Sequence, residues 1–169
     1  QGAKEAGGAE IYLDRWRDLA AHMLRWLNNM THPDGQIALF NDAAHKISHS
    51  PLVISQYAQT LGIKTDSVDR SDLVHLRESG YIRYHQRNLT AIMDVGEIGP
   101  KHIPAHAHAD TLSYELSLGG KRIVVDSGTS CYAMNHDRKY QRSTAAHNTV
   151  EMDGSDSSEV WGVFRVARR

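Results

Sequence analysis

Hydrophobic residues near the start of the chain recur at steps of three and four positions. From Glu10 to about Asn29 these positions are Tyr12, Trp16, Leu19, Met23, Leu27 and Met30. Residues spaced in this way share one face of an α-helix, so the spacing predicts an amphipathic helix. Trp16 and Trp26 are interpreted as core residues of this helix.

A second helix has boundary signals as well as a hydrophobic face. Ser50 is a good N-cap, Pro51 fits the first helical position, and Gly62 can end the helix. Between them lie Leu52, Ile54, Tyr57, Ala58 and Leu61. Residues 1–66 are therefore predicted to form a helical segment.

The spacing of hydrophobic residues changes to two after about Ser71, which is typical of β-strands. The strand-like segments are GYIRYHQRN, TAIMDVGE, TLSYELSL, KRIVVDSG, HNTVEMDG and VWGVFRVARR. Gly119-Gly120 separates two of them and indicates a hairpin. Residues 67–169 are therefore predicted to form an antiparallel β-sandwich, which makes the fold class α+β.

Charge and length exclude some partners. The 169 residues carry 19 basic and 20 acidic side chains, for a net charge of −1. No basic cluster suggests a nucleic-acid partner, and no apolar run approaches the ~20 residues of a membrane span. Cys131 is the single cysteine, so no internal disulfide is expected. Because the chain begins at Gln1 and ends in the strand-like FRVARR, a fragment of a longer protein is expected.

Histidine and aspartate side chains concentrate in the segment PAHAHADTLSYELSLGGKRIVVDSG. His106, His108 and Asp110 alternate, so they share a face if this segment enters a strand. Pairing through the glycine turn places Asp126 near Ser113, or nearer Asp110 if the strand bulges. A carboxylate after the apolar IVV run is costly to bury unpaired, and a metal or a histidine would relieve that cost.

Two imidazoles and a carboxylate, with a fourth position open, form a common zinc arrangement. This set of ligands also suits other divalent metals. His147, which precedes a strand-like run, supplies the second imidazole. The predicted ligands are therefore His108, Asp126 and His147, and zinc is the predicted cofactor. Asp110 is predicted to orient one of the imidazoles.

Several neighbouring residues are candidates for substrate binding or proton transfer. His106 is left for proton transfer or for holding a substrate anion. Tyr132 and Tyr140 are candidate phenolic proton donors. Arg142 is a candidate bidentate partner for a carboxylate or sulfate, and Asn148, next to the last predicted ligand, is a second candidate substrate contact.

The segments HAHADTLSYELSLGGKRIVVDSGTSCY and YQRSTAAHNTVEMDGSDSSEVWGVFRVARR resemble the C-terminal β-domain of the heparinase II/III-like polysaccharide lyases. The resemblance covers about residues 70–169, and HPDGQIALFNDAA is similar to the end of that family's helical toroid. It implies the tail of an (α/α) toroid, an antiparallel β-sandwich, and a substrate cleft between them.

By this resemblance, His106 matches a histidine of the catalytic cleft, and the zinc ligands match His108, Asp126 and His147. The zinc of the family is regarded as structural. The implied reaction is β-elimination on a uronic-acid-containing polysaccharide, whether heparan-type, alginate or another uronate polymer. The family's main tyrosine acid/base lies in the upstream toroid, so that region is an expected partner and autonomous activity stays open. A periplasmic or secreted location is implied, with the cytoplasm as the alternative.

Two other classes of protein fit parts of the pattern. A cupin-like metal-dependent oxygenase also presents His-x-His on a strand, but its glutamate usually follows closely. Here Glu115 follows His108 at an odd separation, so it faces the other way on a strand. A non-catalytic, zinc-stabilised carbohydrate-binding domain is the second alternative. An unsaturated product that absorbs in the ultraviolet favours the lyase over both.

Overall fold

A computed structural model describes residues 9–63, 71–100 and 102–168. The border predicted between residues 66 and 67 lies outside these ranges. Within them, three α-helices and seven β-strands form a mixed α+β fold with antiparallel sheets, as predicted. None of the helices in these ranges is long and apolar enough to cross a membrane.

Both predicted helices are confirmed. The first, α1, spans Ala9–Asn29, and the second, α2, spans Pro51–Thr60. The Ser50 hydroxyl accepts a hydrogen bond from the Val53 amide at 3.5 Å, which caps α2. Gly62 follows the end of α2 with a φ of +71°, a conformation that glycine adopts without strain.

Five strands form one antiparallel sheet, in which each strand pairs with the next along the chain. Strands β1, β2 and β3 span Leu73–Leu76, Tyr81–Gln86 and Leu89–Asp94. Strands β4 and β5 span Tyr114–Leu118 and Lys121–Val124. The β3–β4 connection is the long one in this sheet, and it carries the His-x-His motif.

The β4–β5 hairpin places the predicted acidic residue as expected. Gly119 and Gly120 both have positive φ and form the turn. The pairing shifts by one residue between Leu116 and Ser117, where Ile123 of β5 has no partner in the ladder. Beyond the paired residues, the Ser113 hydroxyl donates to the Asp126 carboxylate at 3.0 Å. The prediction that Asp126 lies near Ser113 is therefore confirmed.

The His-x-His segment is not a strand, contrary to the expectation. His106, His108 and Asp110 lie in the irregular β3–β4 connection, so strand alternation does not align them. The segment HDRKYQR forms a short helix, α3 (His136–Arg142), which was not predicted. Asn135 caps α3 by accepting from the Arg138 amide at 2.9 Å, and basic residues in the last turn suit the helix dipole.

The segment HNTVEMDG also lacks a strand; it contributes only an isolated bridge at its end. Its side chains bond to the backbone near β4 instead: Asn148 Nδ2 donates to the Tyr114 carbonyl and Thr149 Oγ1 to the Thr111 carbonyl. Such bonds compete with ladder hydrogen bonds. The last two strands, β6 (Glu159–Trp161) and β7 (Arg165–Ala167), pair as a separate hairpin.

A small core joins the end of α1 to the sheet. Its buried residues and the partly buried ones packed on them are Met30, Ala38, Phe40, Ile92, Leu76 and Tyr81. The rings of Phe40 and Tyr81 are 5.5 Å apart. This contact holds the segment after α1 against β2 and thereby positions the residues that follow Phe40.

The apolar face of α1 is largely exposed in the described part of the chain. Trp16 is 64% exposed and Trp26 is 40% exposed, so their interpretation as core residues is wrong. An apolar groove of about 490 Å³ lies between α1 and α2, and its lining includes Met23, Leu27 and Tyr57.

Alanine at position 128 tests how tightly the loop after β5 packs. Gly128 has a φ of +56°, and a Cβ there would lie 2.2 Å from the Ala43 carbonyl oxygen. We expect Gly128→Ala to lower the free energy of unfolding by about 2 kcal/mol or more in urea denaturation. Gly62→Ala is the matched control, since Gly62 also has positive φ but open space around it. An equal loss of unfolding free energy in both variants would show that the close approach of residue 128 to the Ala43 carbonyl does not limit stability.

Candidate active site and metal centre

A buried carboxylate, Asp42, lies at the centre of the candidate site. It follows the segment IALFN after α1, and its side chain is 6% exposed. His106 Nδ1 and His108 Nε2 each donate to it at 2.8 Å. Arg138 on α3 forms a bidentate pair with it, through Nη1 and through Nη2 at 3.0 Å. Three distant parts of the chain therefore meet at one carboxylate.

Charge determines which nitrogens of these histidines carry protons. Burial pushes the pKa of Asp42 upward, but hydrogen bonds from His108, Arg138 and His106 outweigh burial and hold that pKa far below its usual range. An ionised carboxylate only accepts, so His106 Nδ1 and His108 Nε2 are donors. Burial also lowers the pKa of His108, which favours its neutral ring. The free lone pairs are then on His106 Nε2 and His108 Nδ1.

Asp126 and His147 form a second carboxylate–imidazole pair. His147 Nδ1 lies 2.9 and 3.1 Å from the two Asp126 oxygens, and both side chains are fully buried. Burial raises the pKa of Asp126, but the hydrogen bond and charge of His147, together with hydrogen bonds from Gly128 and Ser113, outweigh burial and lower that pKa. Burial lowers the pKa of His147, but the same hydrogen bond, together with the negative charges of Asp126 and Asp110, more than reverses this effect. His147 Nε2 is therefore the ring nitrogen that takes no part in this pair.

Three buried polar atoms at the site have no hydrogen-bond partner among the described residues: His108 Nδ1, His147 Nε2 and Asp110 Oδ2. The two imidazole rings are 5.2 Å apart. Unpaired buried polar atoms are uncommon, and imidazole nitrogens with a carboxylate oxygen are ligands that zinc prefers. The chemistry of these groups therefore fits the predicted metal.

The predicted ligand side chains are not arranged as a three-ligand metal site in the described part of the chain. In the described ranges, no three histidine, cysteine, aspartate or glutamate side chains are arranged to hold a metal ion. Asp126, the predicted third ligand, is bonded to His147, whereas Asp110 has the free oxygen. Burial raises the pKa of Asp110 to about 7. The metal ligands stay predictions, and so does the orienting role of Asp110.

His106 extends from this buried cluster to open space. Its side chain is 66% exposed, and its ring lies 6.1 Å from Tyr132 and 6.0 Å from Phe164. Beside it is a cavity of about 660 Å³, whose lining includes Asn41, Arg77, Tyr81, Asp94 and Ile103. His106 thus combines an Nδ1 fixed by Asp42 with a ring that borders a cavity.

The two candidate tyrosines have different surroundings. Tyr132 packs near His106, and the Arg138 guanidinium lies 5.1 Å from the centre of its ring. Tyr140 lies on α3, where its ring stacks on His136 and its hydroxyl donates to a carbonyl. Of these two tyrosines, Tyr132 is the one whose ring contacts the His106 ring. The roles of both tyrosines as proton donors stay predictions.

Arg142 and Asn148 are both engaged by backbone carbonyls. Asn148 donates to the Tyr114 carbonyl at 3.1 Å. Arg142 is 1% exposed, and its guanidinium donates to the carbonyls of Ala107, Trp161, Gly162 and Arg165. Direct substrate binding by Arg142 would require some of these bonds to break. The substrate-binding roles of both residues stay predictions.

A buried glutamate ties the site to the segment after α1. Glu115 has a fully buried side chain that contacts His32 Nε2 at 2.8 Å and Arg122 Nη1 at 3.0 Å. The same carboxylate accepts from the amides of Leu39 and Asp126 at 2.9 and 3.1 Å. It therefore fixes the backbone on both sides of the site.

Asp42 and Arg138 were not predicted from the sequence. Asp42 follows the apolar run IALF after one asparagine, and Asp126 directly follows IVV. The same argument about the cost of burying a carboxylate could have selected it. Arg138 had no such signal, because a basic residue in a polar segment is usually exposed.

Residues 68–169 match the family model described as heparinase II/III-like, C-terminal. The chain therefore belongs to this family, and the resemblance noted in the sequence is confirmed. At family level this membership indicates a polysaccharide lyase. No curated protein sequence matches the chain.

Several solved structures have a similar fold. A heparinase III gene product is 21% identical, with a TM-score of 0.59 over 79% of this chain and 24% of that one. The heparan sulfate lyase HepC from Pedobacter heparinus is 18% identical, with a TM-score of 0.58 over 76% of this chain and 23% of that one. Another heparinase III is 16% identical, with a TM-score of 0.60 over 83% of this chain and 26% of that one. These likenesses show the fold alone, and the chain spans about a quarter of each structure.

Proposed function

We propose that this chain is the β-domain part of a polysaccharide lyase that cleaves uronic-acid-containing glycans by β-elimination. Family membership supports the reaction class. The observation that carries the proposal is the setting of His106. Its Nδ1 donates to Asp42 at 2.8 Å, and its exposed ring borders a cavity of about 660 Å³.

β-Elimination needs a base near C5 of the uronate and an acid near the 4-linked oxygen. In the neutral His106 ring, Nε2 has the lone pair that can take the C5 proton. The electrons of the C5–H bond form the C4–C5 double bond, while the bond from C4 to the leaving oxygen breaks. That oxygen takes a proton from a phenol, for which Tyr132 is the nearby candidate. Asp42 stabilises the imidazolium that forms, as carboxylates do in catalytic triads.

Heparan sulfate is the first substrate to test. The similar structures are described as two heparinase III proteins and a heparan sulfate lyase. Alginate is the second, because β-elimination requires only a uronate with a leaving group at C4. We expect the ultraviolet absorbance of the unsaturated product to rise when the protein is incubated with one of these polymers. Absence of product from both, with the preceding region of the protein also present, would contradict the proposal.

We also propose that zinc binds to His108 and His147, with Asp126 or Asp110 as the third ligand. The unpaired nitrogens His108 Nδ1 and His147 Nε2 support this assignment. Bound zinc would supply a structural cross-link between the β3–β4 connection and the segment after α3. Asp42 would orient the His108 ring through its opposite nitrogen, as is usual for metal-bound imidazole.

Metal analysis tests the zinc proposal. The purified protein is expected to contain about one zinc ion per chain, and both His108→Ala and His147→Ala are expected to lose it. His102→Ala, which removes an exposed imidazole from the same connection, should retain the metal. Comparison of Asp110→Asn with Asp126→Asn identifies the third ligand. Full zinc content in both histidine variants would refute the site.

The two alternative classes predict different results. Family membership favours the lyase over both. Glu115, which a cupin-like oxygenase would need near its metal, is already paired with His32 and Arg122. Iron-dependent oxygen consumption would support the oxygenase. Glycan binding without any product would support a zinc-stabilised carbohydrate-binding domain.

We further propose that helices of an upstream toroid region pack on the apolar groove between α1 and α2. Exposed residues on this face, such as Trp16 and Tyr57, support the proposal because large apolar patches usually mark interfaces.

A periplasmic or secreted location is proposed from the resemblance, and fractionation of cells that produce the whole protein would test it.

A further inference from the structure

A second cavity adjoins the one beside His106. It has a volume of about 540 Å³ and lies between α1 and the β1–β2 hairpin. Arg77, Glu78 and Ser79, in the turn of that hairpin, line both cavities. Because the same three residues form a wall of each, the two cavities meet at the β1–β2 turn. A polymer that crosses this turn can contact both.

An aromatic ring is held in place in the second cavity. Trp26 lines the cavity and is 40% exposed; it also lines the groove between α1 and α2, so the part of its ring that faces this cavity is the part available to a sugar. Its Nε1 donates to the Ser79 hydroxyl at 2.9 Å, and its ring contacts Tyr81 edge-on at 6.2 Å. Both contacts reduce the freedom of the indole. A rigid aromatic surface offers a large contact area at low entropic cost, which suits the apolar C–H face of a sugar ring.

A buried acceptor in the same cavity lacks a donor. Asn29 lines the cavity and is 2% exposed. Its Nδ2 donates to the Arg25 carbonyl at 2.9 Å, whereas its Oδ1 has no partner among the described residues. A buried carbonyl oxygen without a hydrogen bond is costly. A sugar hydroxyl would satisfy it as a donor.

This cavity has a guanidinium that can pair with an anion. Its lining includes Arg25 and Arg77 with one carboxylate, Glu78; Arg25 has other interactions, so Arg77 is the group available to a ligand. Arg77 is exposed, and the structure of the described ranges shows no hydrogen bond or ion pair of its side chain. A free guanidinium can pair with a carboxylate or sulfate in a bidentate manner.

We propose that the second cavity is a distal subsite for an acidic sugar residue of the glycan whose scissile bond lies beside His106. Trp26 stacks on the sugar ring, Asn29 Oδ1 accepts from a hydroxyl, and Arg77 pairs with the anionic group. This inference rests on the proposed function, because it takes the ligand to be an acidic glycan. It adds the residues that bind the chain away from the reacting bond.

Equilibrium binding of a heparan sulfate octasaccharide tests the subsite without turnover. The measurement uses His106→Ala as the parent, so that the probe is not consumed. Adding Arg77→Glu is expected to weaken binding about tenfold, because a charge-assisted pair becomes a repulsion. Arg165→Glu, which reverses an exposed arginine on β7, is the matched control and should change affinity less than about twofold. Trp26→Ala is expected to weaken binding similarly, with thermal melting used to confirm its fold.

The outcomes separate this inference from the proposed function. Loss of affinity in the Arg77 variant but not in the Arg165 control supports the subsite, even if the protein forms no unsaturated product. Equal affinity in the Arg77 and Arg165 variants overturns the subsite, whatever the product assay shows. No detectable binding of the octasaccharide to the His106→Ala parent also overturns it. The Arg77 comparison decides the matter if Trp26→Ala fails to fold.

Discussion

His106→Ala is expected to lower the rate of product formation by about 10²- to 10⁴-fold, the usual contribution of general acid–base catalysis. The variant loses the imidazole nitrogen that takes the C5 proton. Its fold and zinc content should be unchanged, because the side chain is 66% exposed and Asp42 keeps its bonds to His108 and Arg138. Initial rates from ultraviolet absorbance, with thermal melting and metal analysis on the same sample, check all three statements.

Two further variants show what His106 does. His102→Ala is the matched control from the same connection and should keep the native rate. In His106→Asn, the side-chain amide can still donate to Asp42 but has no nitrogen lone pair to accept a proton. A rate as low as that of the alanine variant indicates proton transfer, whereas substantial recovery indicates that His106 only holds the substrate anion. Near-native turnover in His106→Ala would contradict both roles.

Local signals in the sequence predicted local structure well. The three- and four-residue spacing, Ser50 and Gly62 gave both helices of the first segment. The Gly119-Gly120 turn gave the β4–β5 hairpin, and with it the position of Asp126 beside Ser113. Each of these features depends on residues that are close together along the chain, where backbone preferences and hairpin geometry decide the outcome.

The contacts that build the site were less predictable because they join distant segments. Asp42 bonds to His106 and His108, more than sixty residues away, and to Arg138, ninety-six residues away. No spacing rule relates such positions. The buried pairing of Asp42 with Arg138 also reverses the usual expectation that charged residues are exposed. The motif thus pointed to the histidines but not to the carboxylate that holds them.

The incorrect strand predictions have a common physical cause. Alternating residues in HAHAD and HNTVEMDG suggested strands, but both segments are rich in polar groups that bond elsewhere. His106 and His108 turn toward Asp42, while Asn148 and Thr149 bond to backbone carbonyls near β4. Side-chain bonds of this kind replace the regular ladder in both segments. Periodicity therefore drew attention to the two histidines that bond to Asp42, but the strand alternation on which that prediction rested is absent from the structure.

Asp42→Asn is expected to lower the free energy of unfolding by about 3 kcal/mol, since removing one partner of a buried ion pair leaves the other charge uncompensated. The Arg138 side chain is 1% exposed, and its remaining oxygen acceptors are the Val163 carbonyl and the Thr129 hydroxyl, which carry no full negative charge. The new amide also turns an N–H toward groups that are themselves donors. Urea denaturation of the native protein and the variant measures the loss.

A double-mutant cycle shows whether this loss comes from the uncompensated guanidinium. Arg138→Met removes the charge, so Asp42→Asn should cost at least 1 kcal/mol less in that background than in the native protein, on the order of the coupling between bonded pairs. Asp14→Asn is the control for a carboxylate in a surface pair with Arg17 and should leave stability unchanged within error. If Asp42→Asn costs the same in both backgrounds, the pair is not coupled. The stability of the site would then rest on the two histidine bonds to Asp42, and its assembly from three segments would not depend on the buried arginine.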